Sequence, residues 1–153
     1  MSLMSRFISI FCVLFLSLTS FLIFPNPTLA VGISENHLDS CPASPNCVVS
    51  QNGDEKHAIK PIPYNVDRDK AKETLLKVLT VVPRTEVIEQ QDNYIHALSK
   101  SRIFKFIDDV EFYFPTDENV IHVRSASRVG ESDLGVNRRR IEQIRLAMQD
   151  LQV

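Results

Sequence analysis

Apolar residues recur at three- and four-residue steps in two stretches of the chain, the spacing typical of one face of an α-helix. In the first stretch Asp67 has the residue type and position of a helix N-cap, and Pro83 ends the pattern. Its apolar stripe is Ala71, Leu75, Val78, Leu79 and Val82. The stripe of the second stretch is Ile141, Ile144, Met148 and Leu151. Both stretches predict amphipathic helices with the stripe turned to the core.

Between these stretches, strand-forming residues and two-residue alternation predict β-strands separated by turn signals such as QDN. The predicted strands are residues 84–90, 94–99, 110–114 and 119–127. The stretch SRIFKFIDD before the third strand fits either a strand or a helical turn. The order predicts an α+β fold: an antiparallel sheet of about four strands flanked by an N-terminal and a C-terminal amphipathic helix.

The last two strands predict a hairpin whose apolar residues all lie on one face. Placing Phe112 opposite Ile121 and Val110 opposite Val123 meets this condition with a four-residue loop. Polar pairs follow from this register: Asp109 opposite Arg124 and Glu111 opposite His122 on the outer face, and Asp108 opposite Ser125 on the inner face. Ser127 would lie on the inner face as well, two residues beyond Ser125.

Residues 1–30 have the order of a secretory signal peptide: an early base, an apolar run over residues 7–24, a proline break and small residues up to Ala30. We expect cleavage after Ala30 and export to a periplasm, a thylakoid lumen or the cell exterior. The alternative is an uncleaved anchor, because the run approaches the roughly 20 residues of a membrane-spanning helix. Such a segment is the membrane contact that the sequence predicts.

After the signal segment, residues 31–66 are polar and interrupted by prolines, which predicts an extended arm. Residues 67–153 would form the α+β core, and residues 31–153 together one domain. The arm contains Cys41 and Cys47 in the motif CPASPNC, and export favours a disulfide between them. In the chain-entropy model so short a loop contributes only about 2 kcal/mol, so the bridge shapes a local loop.

Two other uses of these cysteines are a metal site completed by His37 or His57, and redox-active thiols. The spacing is neither a usual zinc spacing nor the Cys-x-x-Cys of redox dithiols. The chain also has no phosphate-binding glycine loop, zinc-protease helix or dinucleotide fingerprint. We therefore expect no metal and no cofactor.

The exported part, 123 residues with nineteen acids and sixteen bases, has a formal charge of −3. A nucleic-acid-binding domain is usually strongly basic, so we expect no nucleic-acid partner. The stretch RSASRVGESDLGVNRRR, residues 124–140, nevertheless holds five arginines. If Asn137 is the N-cap of the last helix, three arginines in its first turn oppose the helix dipole at about 0.3–1 kcal/mol each. Acids or a bound anion would then offset this cost, whereas Asp133 as the cap would place the arginines one turn deeper.

The arginine stretch has three interpretations. It forms a structural charge network with the five acids of residues 108–118, or it forms an anion site, because arginine presents a planar fork to carboxylate or phosphate. The anion site would consist of Arg124, Ser125, Ser127, Arg128, Asn137, Arg138 and Arg140. The third interpretation is catalysis by Asp108 with Ser125 or Ser127. A serine nucleophile would need an activating histidine, and in the predicted register His122 points away from Ser125.

Three motifs, CPASPNCVVSQ, FIDDVEFYF and IHVRSASRVGESDLGVNRRRIEQIR, resemble the family catalogued as domain of unknown function 1499. The likeness covers about residues 40–146, and the family has no established activity. The resemblance implies one compact exported domain and supplies no mechanism.

From its residues we expect a non-enzymatic, exported binding module that recognises a small anion (phosphate or carboxylate) or an acidic partner surface through the Arg/Ser cluster. The alternatives are a hydrolase-like enzyme using Asp108 with Ser125 or Ser127, and a structural accessory of a membrane or photosynthetic complex. The first expectation requires the guanidinium groups to converge on one recess.

Overall fold

The computed structural model describes residues 31–103 and 105–151, so the predicted signal segment lies outside the described residues. Within them, the elements in chain order are β1 (Ile33–Ser34), β2 (His37–Leu38), β3 (Cys47–Val49), β4 (Ile62–Pro63), α1 (Arg68–Val81), β5 (Thr85–Gln90), β6 (Tyr94–Lys100), β7 (Ile107–Tyr113), β8 (Val120–Ser127) and α2 (Val136–Asp150). Over these ranges no helix has the length and apolar character needed to cross a membrane.

The sheet is antiparallel and has six strands in the described residues, in the order β3-β8-β7-β6-β5, with β4 also paired to β8. A separate two-stranded hairpin joins β1 to β2. The predicted α+β class is confirmed, but the count of about four strands was wrong. The two further strands, β3 and β4, come from the segment predicted as an arm. They are two or three residues long, too short to show a two-residue period.

Helix α1 follows the sequence prediction closely. The Asp67 carboxylate accepts a hydrogen bond from the Lys70 backbone N–H at 2.8 Å, which satisfies one of the unpaired amides at the helix start. The helix ends at Val81, two residues before Pro83. Its predicted stripe is buried up to Leu79. A local cap and a local breaker therefore define this element.

Both helices and one face of the sheet share one hydrophobic core. The helices contribute Ala71, Leu75, Val78, Leu79, Ile141, Ile144 and Met148. The strands contribute Val48, Ile62, Ile95, Ala97, Val110, Phe112, Ile121 and Val123. The predicted C-terminal stripe is thus confirmed except at Leu151, which lies beyond the end of α2 and is exposed.

The predicted register of the β7–β8 hairpin was wrong by two residues. Phe112 lies opposite Val123 and Val110 lies opposite Ser125, and residues 114–119 form a six-residue connection. Because side chains alternate with a period of two, the shift keeps every apolar side chain on the predicted face. It changes the polar pairs, so that Glu111 lies opposite Arg124.

The longer connection has a tertiary cause. The Phe114 N–H donates to the Asn93 carbonyl at 2.8 Å, and the Tyr64 N–H donates to the Asn119 carbonyl at 3.1 Å. The residues that would have extended the predicted hairpin therefore have backbone partners on other parts of the chain.

The start of α2 differs from both sequence alternatives. The N-cap is Gly135, with φ 76°, so it is neither Asn137 nor Asp133. Asp133 still acts on the helix start, because its carboxylate accepts from the N–H groups of Gly135 at 2.9 Å and Asn137 at 2.7 Å. A negative charge at this position offsets part of the cost of the arginines in the first turn.

The predicted disulfide is confirmed: Cys41 and Cys47 are bonded, with their Cα atoms 5.6 Å apart. Cys47 is the first residue of β3. The bridge therefore fixes a loop directly beside the sheet.

Candidate functional site: a basic recess and three charge networks

The sheet face that the sequence predicts as outer is buried over its centre. His96, Glu111 and Arg124 lie side by side across β6, β7 and β8. Glu111 is 0% exposed and Arg124 is 1% exposed. The Gly32 N–H, beside β1, donates to Glu111 Oε1 at 2.8 Å, so the N-terminal hairpin lies over this part of the sheet. The strands consequently carry buried polar groups on both faces.

Glu111 is the centre of the first charge network. Its Oε2 accepts from Arg124 Nη1 at 2.7 Å, and its Oε1 accepts from the Tyr94 hydroxyl at 2.8 Å. Burial, together with the Glu111 charge, raises the pKa of Tyr94, so the phenol remains a donor. Arg124 Nε is buried with no partner among the described residues. The pair is closed to solvent and belongs to the interior of the domain.

Asp109 is the centre of the second network, on the same face. It accepts from His96 Nε2 at 2.8 Å and from Arg128 Nε and Nη2, each at 2.9 Å. Burial alone would raise the pKa of Asp109, but the hydrogen bonds from His96 and Arg128 outweigh burial and hold the pKa at about 2. The carboxylate is therefore charged at any physiological pH.

Arg140 organises the third network, on the helix-facing side of the sheet. Its Nη2 donates to Asp108 at 2.6 Å, and its Nη1 donates to Asn137 at 2.7 Å and to the Ser125 hydroxyl at 3.1 Å. The Ser125 hydroxyl in turn donates to Asn137 at 2.5 Å. Asp108 and Asp109 therefore pair on opposite faces, as their adjacency on a strand predicts.

Asn137 extends the third network to the disulfide loop. Its side-chain N–H groups donate to the Ser127 hydroxyl and to the Asn46 carbonyl, each at 3.0 Å. The Asn46 side chain donates to the Gly130 carbonyl at 2.5 Å. Since Asn46 precedes Cys47, the disulfide-bonded loop supplies part of the setting in which Arg140 is held.

The seven residues of the predicted anion site do not surround one recess. Arg124 and Arg128 lie on the face opposite Ser125. Arg138 donates to the backbone carbonyls of Ala58 at 2.8 Å and Lys56 at 2.9 Å. The members that share one face are Ser125, Ser127, Asn137 and Arg140, and they bond to one another. Three acids each pair with an arginine, as the charge-network interpretation expects.

The candidate catalytic residues are held in the same network. Among the hydrogen bonds of the described residues, the Ser125 hydroxyl contacts the Asn137 amide and the Arg140 guanidinium, and the Ser127 hydroxyl contacts the Asn137 amide. His122 lies on the opposite face, 3.1 Å from the Ser50 hydroxyl. Asp108 is held by Arg140. Within the described residues, no histidine hydrogen-bonds to either serine hydroxyl.

A recess of about 290 Å³ opens at the end of the sheet where β5 begins and β6 ends, beside the first turns of α2. Its described lining residues are Val82, Pro83, Arg84, Ser99, Lys100, Ser101, Arg102, Val136, Arg139, Arg140 and Gln143. Five of these are basic and none is acidic. We call this feature the basic recess.

Four of the basic side chains, those other than Arg140, form no ion pair with an acid in the described part of the chain. Arg84 Nε donates to the Lys100 carbonyl at 3.0 Å, and Arg139 Nη1 donates to the Leu134 carbonyl at 2.7 Å. These bonds hold the guanidinium groups without neutralising them. Arg84 also has φ 57°, a left-handed conformation that costs a residue with a Cβ about 1–2 kcal/mol.

The anion site predicted from the sequence did not include Arg84, Lys100, Arg102 or Arg139. The predicted strands 84–90 and 94–99 gave a signal that could have found the first two, since Arg84 begins one strand and Lys100 directly follows the other. Neighbouring antiparallel strands begin and end at the same sheet edge, so a cation at the start of one strand meets a cation at the end of the next. The same argument could not find Arg139, because the packing of α2 against this end of the sheet does not follow from the strand pattern.

A larger recess of about 510 Å³ lies between β4 and α2. Its arginine, Arg145, already donates to Glu142 at 2.9 Å and to the backbone carbonyls of Lys60 and Pro61. The Arg145 guanidinium is thus paired with an acid of the same lining, and the other cation among the described residues of that lining is Lys60. Across the ranges that the structure describes, no group of three or more His, Cys, Asp or Glu residues is arranged to hold a metal ion.

Comparison with protein-family models matches residues 37–148 to the family described as protein of unknown function, DUF1499. The match includes both cysteines of the disulfide, the three charge networks and all the basic residues of the recess. A search of curated proteins found no match.

Proposed function

Since the chain belongs to the DUF1499 family, whose description states no activity, we propose from its own geometry that it is a small binding module. It recognises a phosphate or carboxylate group in the basic recess. The observation that carries this proposal is the lining itself: five basic residues, with no acid among the lining residues described.

Electrostatics favour an anion at this position. The exported part of the chain has a formal charge of −3, so the recess is a local reversal of the charge of the molecule. Four cations beside one another repel, and an anion between them removes that repulsion and accepts charge-assisted hydrogen bonds. The volume of about 290 Å³ suits a small group better than an extended ligand.

The strained backbone of Arg84 also supports a binding role. Residues held in left-handed conformations without being glycine often belong to binding sites, where the surrounding structure enforces the geometry. Here the geometry is enforced because the Lys100 N–H donates to the Arg84 carbonyl at 3.0 Å and the Arg84 side chain donates back to the Lys100 carbonyl. These two bonds hold Arg84 in the lining of the recess.

The proposed site is a revision of the Arg/Ser cluster expected from the sequence. Arg140 belongs to both, and Ser99 and Ser101 take the place of Ser125 and Ser127 at the recess. In this proposal Arg124, Arg128 and Arg138 have structural roles, since each guanidinium donates at least one hydrogen bond to a protein acceptor. The proposal keeps export through the N-terminal segment as its cellular setting and assigns no catalytic step.

Titration with inorganic phosphate and with acetate at low ionic strength tests the proposal. We expect phosphate to raise the unfolding temperature of the wild type, since a ligand at one hundred times its Kd stabilises the folded state by about 2.7 kcal/mol. Arg102→Ala should weaken binding about tenfold, because one charge-assisted hydrogen bond to an anion is worth about 1.5 kcal/mol.

The matched control is Lys77→Ala, which removes an exposed cation on α1 whose partner is Glu73. It should leave the affinity unchanged. Equal losses in the two variants would mean that net charge, and not the recess, determines binding. Absence of any effect of phosphate and acetate on the wild type would end the proposal.

A further inference from the structure

The three most exposed large apolar side chains in the described ranges lie beside the basic recess. Leu134 is 84% exposed, Ile103 is 78% exposed and Val81 is 76% exposed. Val81 precedes the lining residue Val82, and Ile103 follows the lining residue Arg102. The carbonyl of Leu134 accepts the hydrogen bond from Arg139. We call these three residues the apolar rim.

The topology explains why residues so distant in sequence meet at this edge. At this end of the sheet the start of β5 pairs with the end of β6 (Thr85 with Ser99), and the end of β6 pairs with the start of β7 (Lys100 with Ile107). The start of β7 in turn pairs with the end of β8 (Asp108 with Ser127). The end of α1, the β6–β7 connection and the β8–α2 connection therefore all emerge at the same end of the sheet. Each of these three segments contributes one residue to the apolar rim.

Exposed apolar side chains are common singly, but their concentration around a cationic site is typical of an interaction surface. The combination of protruding apolar groups with cations is the pattern of interfacial membrane binding. Apolar side chains enter the boundary between headgroups and acyl chains, and cations contact the anionic headgroups. Asp133, the acid one residue before Leu134, has its carboxylate turned to the backbone amides of Gly135 and Asn137.

Resting on the proposed function, we propose that the recess end of the molecule docks on an anionic lipid bilayer. A headgroup phosphate enters the basic recess while Val81, Ile103 and Leu134 insert at its rim. The bilayer is favoured over a protein partner because the three apolar residues come from separate segments around a cationic hollow. Apolar groups beside cations match the layered order of a bilayer, in which anionic headgroups border the acyl chains.

Vesicle co-sedimentation of the full chain tests this proposal, with two controls for binding that does not involve an anionic bilayer. Vesicles of phosphatidylglycerol and phosphatidylcholine are compared with pure phosphatidylcholine vesicles, which measure any binding through the apolar run of residues 7–24. Inorganic phosphate titrations are run in parallel. We expect a preference for the anionic vesicles that falls about fivefold for Arg102→Ala, since a basic residue near an anionic surface is worth about that factor.

The decisive variant is Ile103→Ser with Leu134→Ser, and its matched control is Leu146→Ser. Leu146 is 58% exposed on α2 and is not among the residues of the recess. The rim variant should lose about tenfold in binding to anionic vesicles while keeping the wild-type affinity for inorganic phosphate. The Leu146→Ser variant should keep both.

The outcomes separate this proposal from the proposed function. Phosphate binding without a preference for anionic vesicles would overturn the bilayer proposal alone, and so would a rim variant that binds vesicles as the wild type does. If the protein binds neither inorganic phosphate nor anionic vesicles, the recess is not an anion site. Tight binding to polyglutamate that the rim variant leaves intact would replace the bilayer by an acidic polypeptide surface.

Discussion

Replacing Arg84 separates the backbone role of this residue from its charge. Arg84 has φ 57°, and in this left-handed conformation the steric conflict of its Cβ destabilises the folded state by about 1–2 kcal/mol, which glycine avoids. Glycine pays about 0.5–1 kcal/mol more backbone entropy on folding. The variant Arg84→Gly should therefore be more stable than Arg84→Ala by about 0.5–1 kcal/mol. Both lose the hydrogen bond from Arg84 Nε to the Lys100 carbonyl, worth about 0.5–1 kcal/mol at an exposed site.

The two variants should nevertheless lose the same affinity for phosphate, about tenfold, because each lacks the guanidinium group. Urea unfolding measures the first difference, and phosphate titration of the same samples measures the second. Lys105 is the matched control, since it is another cation with a left-handed backbone, φ 53°, outside the lining of the recess. Its glycine and alanine variants should repeat the stability difference without a change in phosphate affinity.

Two results would contradict these roles of Arg84, and they are distinguishable. If Arg84→Gly is no more stable than Arg84→Ala, the left-handed backbone is not a source of strain in the folded protein. If both variants bind phosphate as the wild type does, the Arg84 guanidinium does not belong to the anion site.

Three further predictions concern the interior. Arg124→Met leaves Glu111 buried without its cation and should lower the free energy of unfolding, measured in urea, by about 3–5 kcal/mol. Adding Glu111→Leu should restore part of this loss, because the unpaired buried charge is removed. If the single and the double variant lose the same free energy, the loss does not come from an unpaired charge. The pKa of Asp109 is about 2 in the folded protein, compared with an ordinary value of 3.8. Asp109 therefore contributes about 2 kcal/mol to the free energy of unfolding, a contribution that is complete above about pH 4 and is lost as the pH falls to 2. Asp109→Asn should flatten that part of the stability profile, and an unchanged profile would assign the acid transition to other carboxyls. Exchanging Cys41 and Cys47 for serine should cost about 2 kcal/mol, and wild type reduced by dithiothreitol should match the variant; a larger loss in only one of them would refute the loop-entropy account.

Local rules predicted much of the fold. The cap at Asp67 and the stripe from Ala71 to Leu79 act within one or two helical turns, so the sequence contains all the information that α1 requires. The alternation of residues 110–114 and 119–127 assigned the strand faces correctly for the same reason. The disulfide followed from the pairing of two nearby cysteines.

The candidate site was predicted only in part. The sequence drew attention to Arg140, which lines the recess, and to Asp108, which pairs with it. It placed Arg124 on the outer face of the sheet, and the N-terminal hairpin lies over that face through the bond from Gly32 to Glu111. A strand pattern reports which residues share a face, but it contains nothing about what covers that face.

The amino-acid sequence by itself determined the class of fold, the helices, the faces of the strands and the disulfide, because each depends on residues a few positions apart. Only the tertiary structure decided the register of β7 and β8, since a two-residue shift leaves the hydrophobic pattern unchanged and backbone partners at Asn93 and Tyr64 select among the alternatives. It also decided the position of the basic recess, whose cations are residues 84, 100, 102, 139 and 140. The proximity of these cations follows from the order of the strands and the packing of α2. Neither of these can be deduced from the periodicity of apolar residues in the sequence.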